Sequence, residues 1–180
     1  KLYGAKRSYL LINGTSGGVI AAVMAAVSKG KKLVMARNSH KAIFNSLVLA
    51  GVEPVYAYPE MIHEYGISGV ITPEEIERCL AENPDAEAVI LPSPNYYGIC
   101  SDIQAIADVV HARGKVLIVD QAHGAHLKFF SDAGCAIMPK SAEEQGADIT
   151  VNSIHKTLAS FTQSALLTLN SDRADPYVLE

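Results

Sequence analysis

Seven short apolar runs, each finishing in polar residues, alternate with helical patterns along this chain, and that alternation limits its fold more than any other feature. The runs cover 9–13, 32–36, 54–58, 88–92, 116–120, 148–153 and 164–169. Most are rich in Val, Ile and Leu throughout, the pattern of strands whose two faces are both covered by helices. Between the runs, apolar spacing predicts helices over 17–29, 41–50, 73–81 and 103–112. Thr72 with Pro73 and Glu75 supplies a cap, a first-turn proline and an acidic first turn, and Ser101-Asp102 can cap the following helix. Gly30, Gly51 and Gly114 are placed to stop three of the four helices. Strand and helix in alternation predict an α/β fold, a three-layer sandwich around a mostly parallel seven-stranded sheet. Only about ten residues separate the sixth run from the seventh, too few for a covered parallel crossover, so the last strand is expected to be antiparallel.

The chain has 180 residues, which fits one domain. With 49% hydrophobic and 19% charged residues it can build a substantial core, and disorder is excluded. A net charge of -4 without a Lys/Arg cluster leaves no electrostatic footprint for nucleic acid or an anionic membrane. No apolar stretch approaches the length of a transmembrane helix, and the apolar run after Lys6-Arg7 is interrupted too early for a signal peptide. Cys79, Cys100 and Cys135 are odd in number and widely spaced, which suits a reducing, cytoplasmic setting better than a disulfide framework. The absence of an initiator Met and the unmarked end read as a piece of a longer protein.

In doubly wound sheets, ligands bind beyond the carboxyl ends of the strands, so the polar residues there carry the functional argument. The first run leads into Asn13-Gly14-Thr15-Ser16-Gly17-Gly18 and then a helix. Hydroxyls and unpaired N–H groups at a helix start form a phosphate-ready site; a glycine turn with a Ser/Thr cap is the equally weighted alternative. Neither a dinucleotide fingerprint nor a Walker loop matches. The segment does fit G-x-S-x-G, a nucleophile elbow with Ser16 as nucleophile and Asp120 and a later His as partners. Against it, that elbow follows several strands, and here only one precedes it.

The second run ends in Arg37-Asn38-Ser39-His40-Lys41, which gives His40 weight as a strand-end residue. The fifth run passes directly into Asp120-Gln121-Ala122-His123-Gly124-Ala125-His126. A carboxylate ending a buried apolar strand is desolvated, and it stays ionised only where a cation or several donors meet it. Zinc ligation by Asp120, His123 and His126 is the minor alternative, since no H-E-x-x-H arrangement accompanies them. The sixth run ends at Ser153-Ile154-His155-Lys156-Thr157. A lysine at the mouth of a buried sheet is a candidate for Schiff-base chemistry.

Taken together, a phosphate cup, a residue placed to stack on a ring, an Asp and a Lys are the parts of a pyridoxal phosphate site. The chain resembles the large domain of fold-type I pyridoxal-phosphate enzymes, and most closely the ornithine/lysine/arginine decarboxylase family. Asn13-Gly14-Thr15-Ser16, Arg37-Asn38-Ser39-His40-Lys41, Ser93-Pro94 with Tyr96-Tyr97-Gly98, Asp120 with Ala122-His123-Gly124-Ala125-His126, and Ser153 with His155-Lys156-Thr157 carry the resemblance, in the family's order across almost the whole chain.

The resemblance implies that pyridoxal 5'-phosphate is held covalently by Lys156, with Asp120 on its ring nitrogen. His40 stacks on one ring face and Ala122 packs on the other. Thr15, Ser16, Ser153 and His155 bind the phosphate. It further implies decarboxylation of a basic amino acid to cadaverine, putrescine or agmatine, with His40 as the acid that protonates Cα. An aminotransferase or eliminating lyase shares the fold and is the alternative chemistry. Three departures from the family pattern stand out: Gln121 where Glu is usual, Ala42 where Ser often follows His-Lys, and Asn95 where Thr is usual. Gln121 is expected to bear on substrate handling and Asn95 on the cofactor's phenolic oxygen. Members are homodimers or higher homo-oligomers whose sites are completed across the subunit interface, which places Tyr96 or Tyr97 near it. They also carry a C-terminal small domain, so residues 1–180 read as the cofactor-binding large domain alone.

Overall fold

All seven predicted runs enter a single sheet. The computed structural model describes residues 2–179. In chain order, the elements are β1 (Arg7–Leu11), α1 (Gly14–Ala26), β2 (Lys32–Ala36), α2 (Lys41–Ala50), β3 (Glu53–Ala57), β4 (Met61–Ile62), β5 (Ile67–Ser68) and α3 (Pro73–Glu82). They continue with β6 (Ala86–Pro92), α4 (Ile103–Ala112), β7 (Val116–Asp120), α5 (Leu127–Asp132), β8 (Ile149–Ser153), α6 (Ile154–Thr157) and β9 (Ala165–Leu169), before a short 3-10 turn at Pro176–Val178.

The large sheet has the order β1-β9-β8-β7-β6-β2-β3, and β4 pairs with β5 in a separate two-stranded ribbon. Strands β2, β3, β6, β7 and β8 are parallel neighbours. As the short connection predicts, β9 runs antiparallel to β8, and it is also antiparallel to β1. Alternate residues of each central strand face opposite helical layers. Leu33, Met35, Ile90 and Ile118 pack with Val19, Val23, Ile43 and Leu47 under α1 and α2. Val34, Val89, Leu117 and Val119 pack with Ile76, Leu80, Ile106 and Val110 under α3 and α4. Each fully buried Leu or Ile contributes about 1.5–3 kcal/mol, so both layers are firmly held to the sheet.

Local chemistry sets most element ends. Thr72 accepts from the Glu75 N–H at 3.2 Å and Asp102 from the Ala105 N–H at 3.0 Å, capping α3 and α4. Ser101 instead accepts from the Ile71 N–H at 3.0 Å. Gly51, at φ 64°, ends α2. Two expectations shift near the N-terminus. The first strand lies two residues earlier than 9–13, at the sheet edge, where Leu10 and Ile12 are exposed. Helix α1 begins at Gly14 rather than residue 17 and ends when Val27 turns extended, so Gly30 serves the next turn and not the helix stop. The three cysteines are all free thiols. Among the described residues, no helix is long and apolar enough to cross a membrane.

Candidate active site

The site starts with a close approach of α1 to the sheet. A Cβ on Gly18 would lie 2.6 Å from Leu11 Cδ1 and from Val151 Cγ1, so the absence of a side chain there lets the helix settle onto β1 and β8. The helix start then reaches the end of β8, where Thr15 Oγ1 lies 3.1 Å from Ser153 Oγ. Asn13 makes no side-chain cap. The Gly14 N–H is satisfied by the Gln163 carbonyl at 2.9 Å, whereas the following N–H groups of the first turn have no helical acceptor. This is the hydroxyl-and-amide geometry that binds a phosphate group.

The floor comes from the ends of β7 and β8. Asp120 closes β7 and is only 6% exposed. Its Oδ1 accepts from the Ala122 N–H at 3.1 Å. Burial pushes its carboxyl above the usual carboxylate range, against the opposing pull of that N–H and of the positive charge of Lys156 and His40. From the second strand end, His40 caps α2 by accepting from the Ala42 N–H through Nδ1 at 3.2 Å. That bond puts the proton of a neutral imidazole on Nε2. His155 makes the opposite choice: its Nδ1 lies 3.0 Å from the Ser164 carbonyl, which can only accept, so Nδ1 carries the proton. Lys156 Nζ donates to His123 Nε2 at 3.2 Å. Burial first, and then the charge of Lys156 and His40, hold His123 below the usual histidine range, as a neutral acceptor.

Thr15, Ser16, His40, Asp120, Ala122, Ser153, His155 and Lys156 all line one cavity of about 600 Å³. These eight residues, the ones expected to hold the cofactor or act on the substrate, therefore border the same space. Asn38, Ser39, Tyr96, His123 and Gln163 line it as well. His123 carried a signal, its place in the motif after β7, but the lysine it meets comes from another strand. Gln163 gave none: its position at φ 68°, unusual for a side chain, follows from how the loop folds back on α1. Two buried polar atoms beside the cavity, Asn38 Oδ1 and Ser39 Oγ, have no partner in the protein.

Two expectations fail. Asn95 does not reach the cavity. Its Nδ2 donates to the Ser68 and Gly69 carbonyls, each at 3.0 Å, and its Oδ1 accepts from the Tyr97 and Ile99 N–H groups at 2.9 and 3.1 Å, so the amide is consumed in holding two loops together. Gln121 is fully buried and away from the cavity. Its Nε2 donates to Glu143 at 2.9 Å and Asn152 at 2.8 Å, and its Oε1 accepts from the Ala142 N–H at 2.6 Å. A residue so engaged cannot handle substrate. For the nucleophile-elbow alternative, Ser16 is exposed within the first turn of α1, which follows the edge strand β1. Among the described residues, no imidazole is hydrogen-bonded to Ser16, and no group of three or more His, Cys, Asp or Glu side chains is arranged to hold a metal ion.

The family described as Orn/Lys/Arg decarboxylase, major domain, matches residues 1–178. An arginine decarboxylase of Bacillus subtilis is 37% identical over 167 residues, covering 93% of this chain and 33% of that protein. One of Halalkalibacterium halodurans is 36% identical over 165 residues, covering 92% and 33%. The chain thus spans about a third of the length of these relatives. Among solved structures, the constitutive lysine decarboxylase of E. coli superposes with a TM-score of 0.79 at 24% identity, over 99% of this chain and 26% of that one. By its match along almost its whole length, the chain belongs to the Orn/Lys/Arg decarboxylase family, where it corresponds to the major domain.

Proposed function

We propose that the protein to which this chain belongs decarboxylates a basic amino acid (arginine, lysine or ornithine) with pyridoxal 5'-phosphate held in the cavity at the carboxyl ends of β7 and β8. The observation that carries this reading is the meeting of buried Asp120, Lys156 and the side-chain-uncapped start of α1 around one space. The residues suit the group. The first turn of α1, with Thr15, Ser16 and Ser153, would hold the phosphate, joined by His155, whose Nε2 donates only as imidazolium because Nδ1 is spent on Ser164. Asp120, costly to ionise alone in its buried position, would be matched by a protonated ring nitrogen. Lys156 would hold the cofactor through a carbon–nitrogen bond from its neutral Nζ to the aldehyde carbon, the aldehyde oxygen leaving as water.

When bound, the cofactor supplies a sink for the electron pair left behind as the substrate's α-carboxylate departs. Asp120 keeps a proton on the ring nitrogen so that the sink stays cationic. His40 would lie over one face and deliver a proton to Cα from Nε2 as imidazolium, with Nδ1 then protonated and its cap on α2 released. Ala122 leaves room for the ring on the other face. Two copies of the full-length protein would close the site between them, with the exposed Tyr96 or Tyr97 near the contact. The proposed setting is cytoplasmic.

The experiment is an absorbance spectrum of the full-length protein with pyridoxal phosphate, before and after borohydride, followed by peptide mapping. A visible band that bleaches, with the label on Lys156, is the expected result. Amine release from arginine, lysine and ornithine then identifies the substrate, and sedimentation reports the dimer. A missing band and an unlabelled Lys156 would overturn the reading and turn attention to Ser16, tested with a fluorophosphonate.

A further inference from the structure

A lysine that must bond one particular carbon needs its amine in one place, and Lys156 lacks the packing to keep it there. It is exposed, and a lysine side chain carries about 2 kcal/mol of rotamer entropy. The obvious counter-charge in the cavity is Asp120. Among the described residues, however, the two form no ion pair. Instead, the Nζ–H is donated to His123 Nε2 at 3.2 Å.

His123 is itself well held. The turn after β7 is closed by the Gly124 N–H donating to the Gln121 carbonyl at 2.9 Å. A Cβ on Gly124 would lie 2.6 Å from Pro94 Cδ and 2.7 Å from Gln121 Cγ, so this turn is packed against the 93–95 loop and has little room to shift. The Tyr96 ring meets the imidazole edge-on at 6.1 Å and is braced by Tyr97 at 5.6 Å. The charged or titratable groups around the pair are Asp120 at the end of β7, His40 and Lys41 at the start of α2, and His155 of α6.

We propose that His123 is a positioning residue for Lys156: its Nε2 holds the lysine amine at the cavity mouth and away from Asp120, leaving the carboxylate open to the cofactor's ring nitrogen. This rests on the function proposed above. It accounts for an acceptor aimed at a lysine whose natural partner would be the acid below it, and for the rigid turn that carries the acceptor.

The test uses the full-length protein without cofactor in wild-type, His123→Ala and His123→Gln forms, and follows two reactions at Lys156 by peptide mapping. With pyridoxal phosphate and borohydride, positioning predicts labelling slower in His123→Ala by roughly 5- to 10-fold, the equivalent of one lost hydrogen bond, and restored to within about 2-fold by the Gln side chain, whose oxygen also accepts. With acetic anhydride, a small reagent that needs no guidance, Lys156 in His123→Ala should react faster by roughly 2- to 5-fold relative to exposed Lys31, because the amine is freed from the hydrogen bond that ties it to His123. Opposite signs for the two reagents are not what a loosened fold produces. Equal rates in all three proteins, or slowing with both reagents, would overturn the proposal. So would a Gln variant as slow as Ala with a displaced pH midpoint, which would make His123 a proton acceptor. If wild type gives no borohydride label, the function proposed above fails, and the acetylation arm still decides whether His123 holds Lys156.

Discussion

An ionised carboxylate beneath a cavity is a liability until a cation meets it. In the cofactor-free protein, burial gives Asp120 a stronger hold on its proton than it has in the unfolded chain. The folded state therefore binds more protons, and stability is intact below the unfolded pKa and falls as pH rises through the folded one. Asp120→Asn keeps an acceptor for the Ala122 N–H and removes that loss. Thermal unfolding should show the variant equal to wild type near pH 3 and more stable at pH 7, by on the order of 1 kcal/mol or roughly 2–4 °C. The decarboxylase activity proposed for the full-length protein should meanwhile fall by about 10²-fold or more. A variant less stable than wild type at both pH values would contradict the burial argument. Gln121, the next residue, teaches the complementary lesson. Gln121→Glu places a second carboxylate beside Glu143, 2.9 Å from the present amide nitrogen, and removes the donor to Asn152. The expected cost is about 2–4 kcal/mol, with most of it recovered when Glu143→Gln is added to restore one amide and one carboxylate. Asp120 and Lys156 were legible because a polar residue ending an apolar run is conspicuous. The fates of Gln121 and Asn95 were not, because Gln121 and the Nδ2 group of Asn95 are engaged by partners more than 20 residues distant, at 142, 143 and 152 and at 68 and 69.

At the scale of elements, the site depends on how closely α1 sits on the sheet. Gly18 faces the stiff, β-branched Val151 on a buried strand, so a methyl group there must move the helix. Gly18→Ala should cost about 1–3 kcal/mol and pull Thr15 away from Ser153, weakening inorganic phosphate binding by roughly 10-fold in calorimetry. Gly17→Ala is the control. Its added Cβ would come no nearer than 3.8 Å to Asn13, and replacing a helical glycine should raise stability by up to about 1 kcal/mol with phosphate affinity unchanged. Equal phosphate affinity in both variants would separate the cup from the helix position. Strand and helix periodicity placed most elements within a residue or two. It misplaced β1, because Arg7 and Ser8 of an exposed edge strand give no apolar signal, and it started α1 late, because glycines in a first helical turn read as loop. The β4–β5 ribbon is only two residues per strand and is fastened from outside by Asn95, so nothing local announces it.

For the molecule as a whole, the sheet order mattered most and was least visible. Periodicity reveals strands, while their neighbours depend on which way each crossover turns. Placing β1 beyond the antiparallel β9 brings residues 14 and 15 against residues 163 and 153, so the candidate phosphate cup is assembled from opposite ends of the chain. The other end of the sheet is a stability site. Asp148 is fully buried there, accepting from the Leu117 N–H at 2.8 Å and from His111 Nε2 at 2.9 Å, with Ser171 and Arg173 also on its carboxylate. Removing it strands several donors at once, so Asp148→Ala should cost about 3–5 kcal/mol. Leu117 and Asp120 are three residues apart on β7, roughly 10 Å along the strand, at the distance where mutational effects become additive. At a temperature where the variant remains folded, labelling of Lys156 should therefore stay within about 2-fold of wild type. In the double variant with Asp120→Asn, unfolding free energies should add to within about 0.5 kcal/mol. A larger deviation, or loss of labelling in folded Asp148→Ala, would mean that β7 transmits strain between its ends, and that the two ends of the sheet act as one unit.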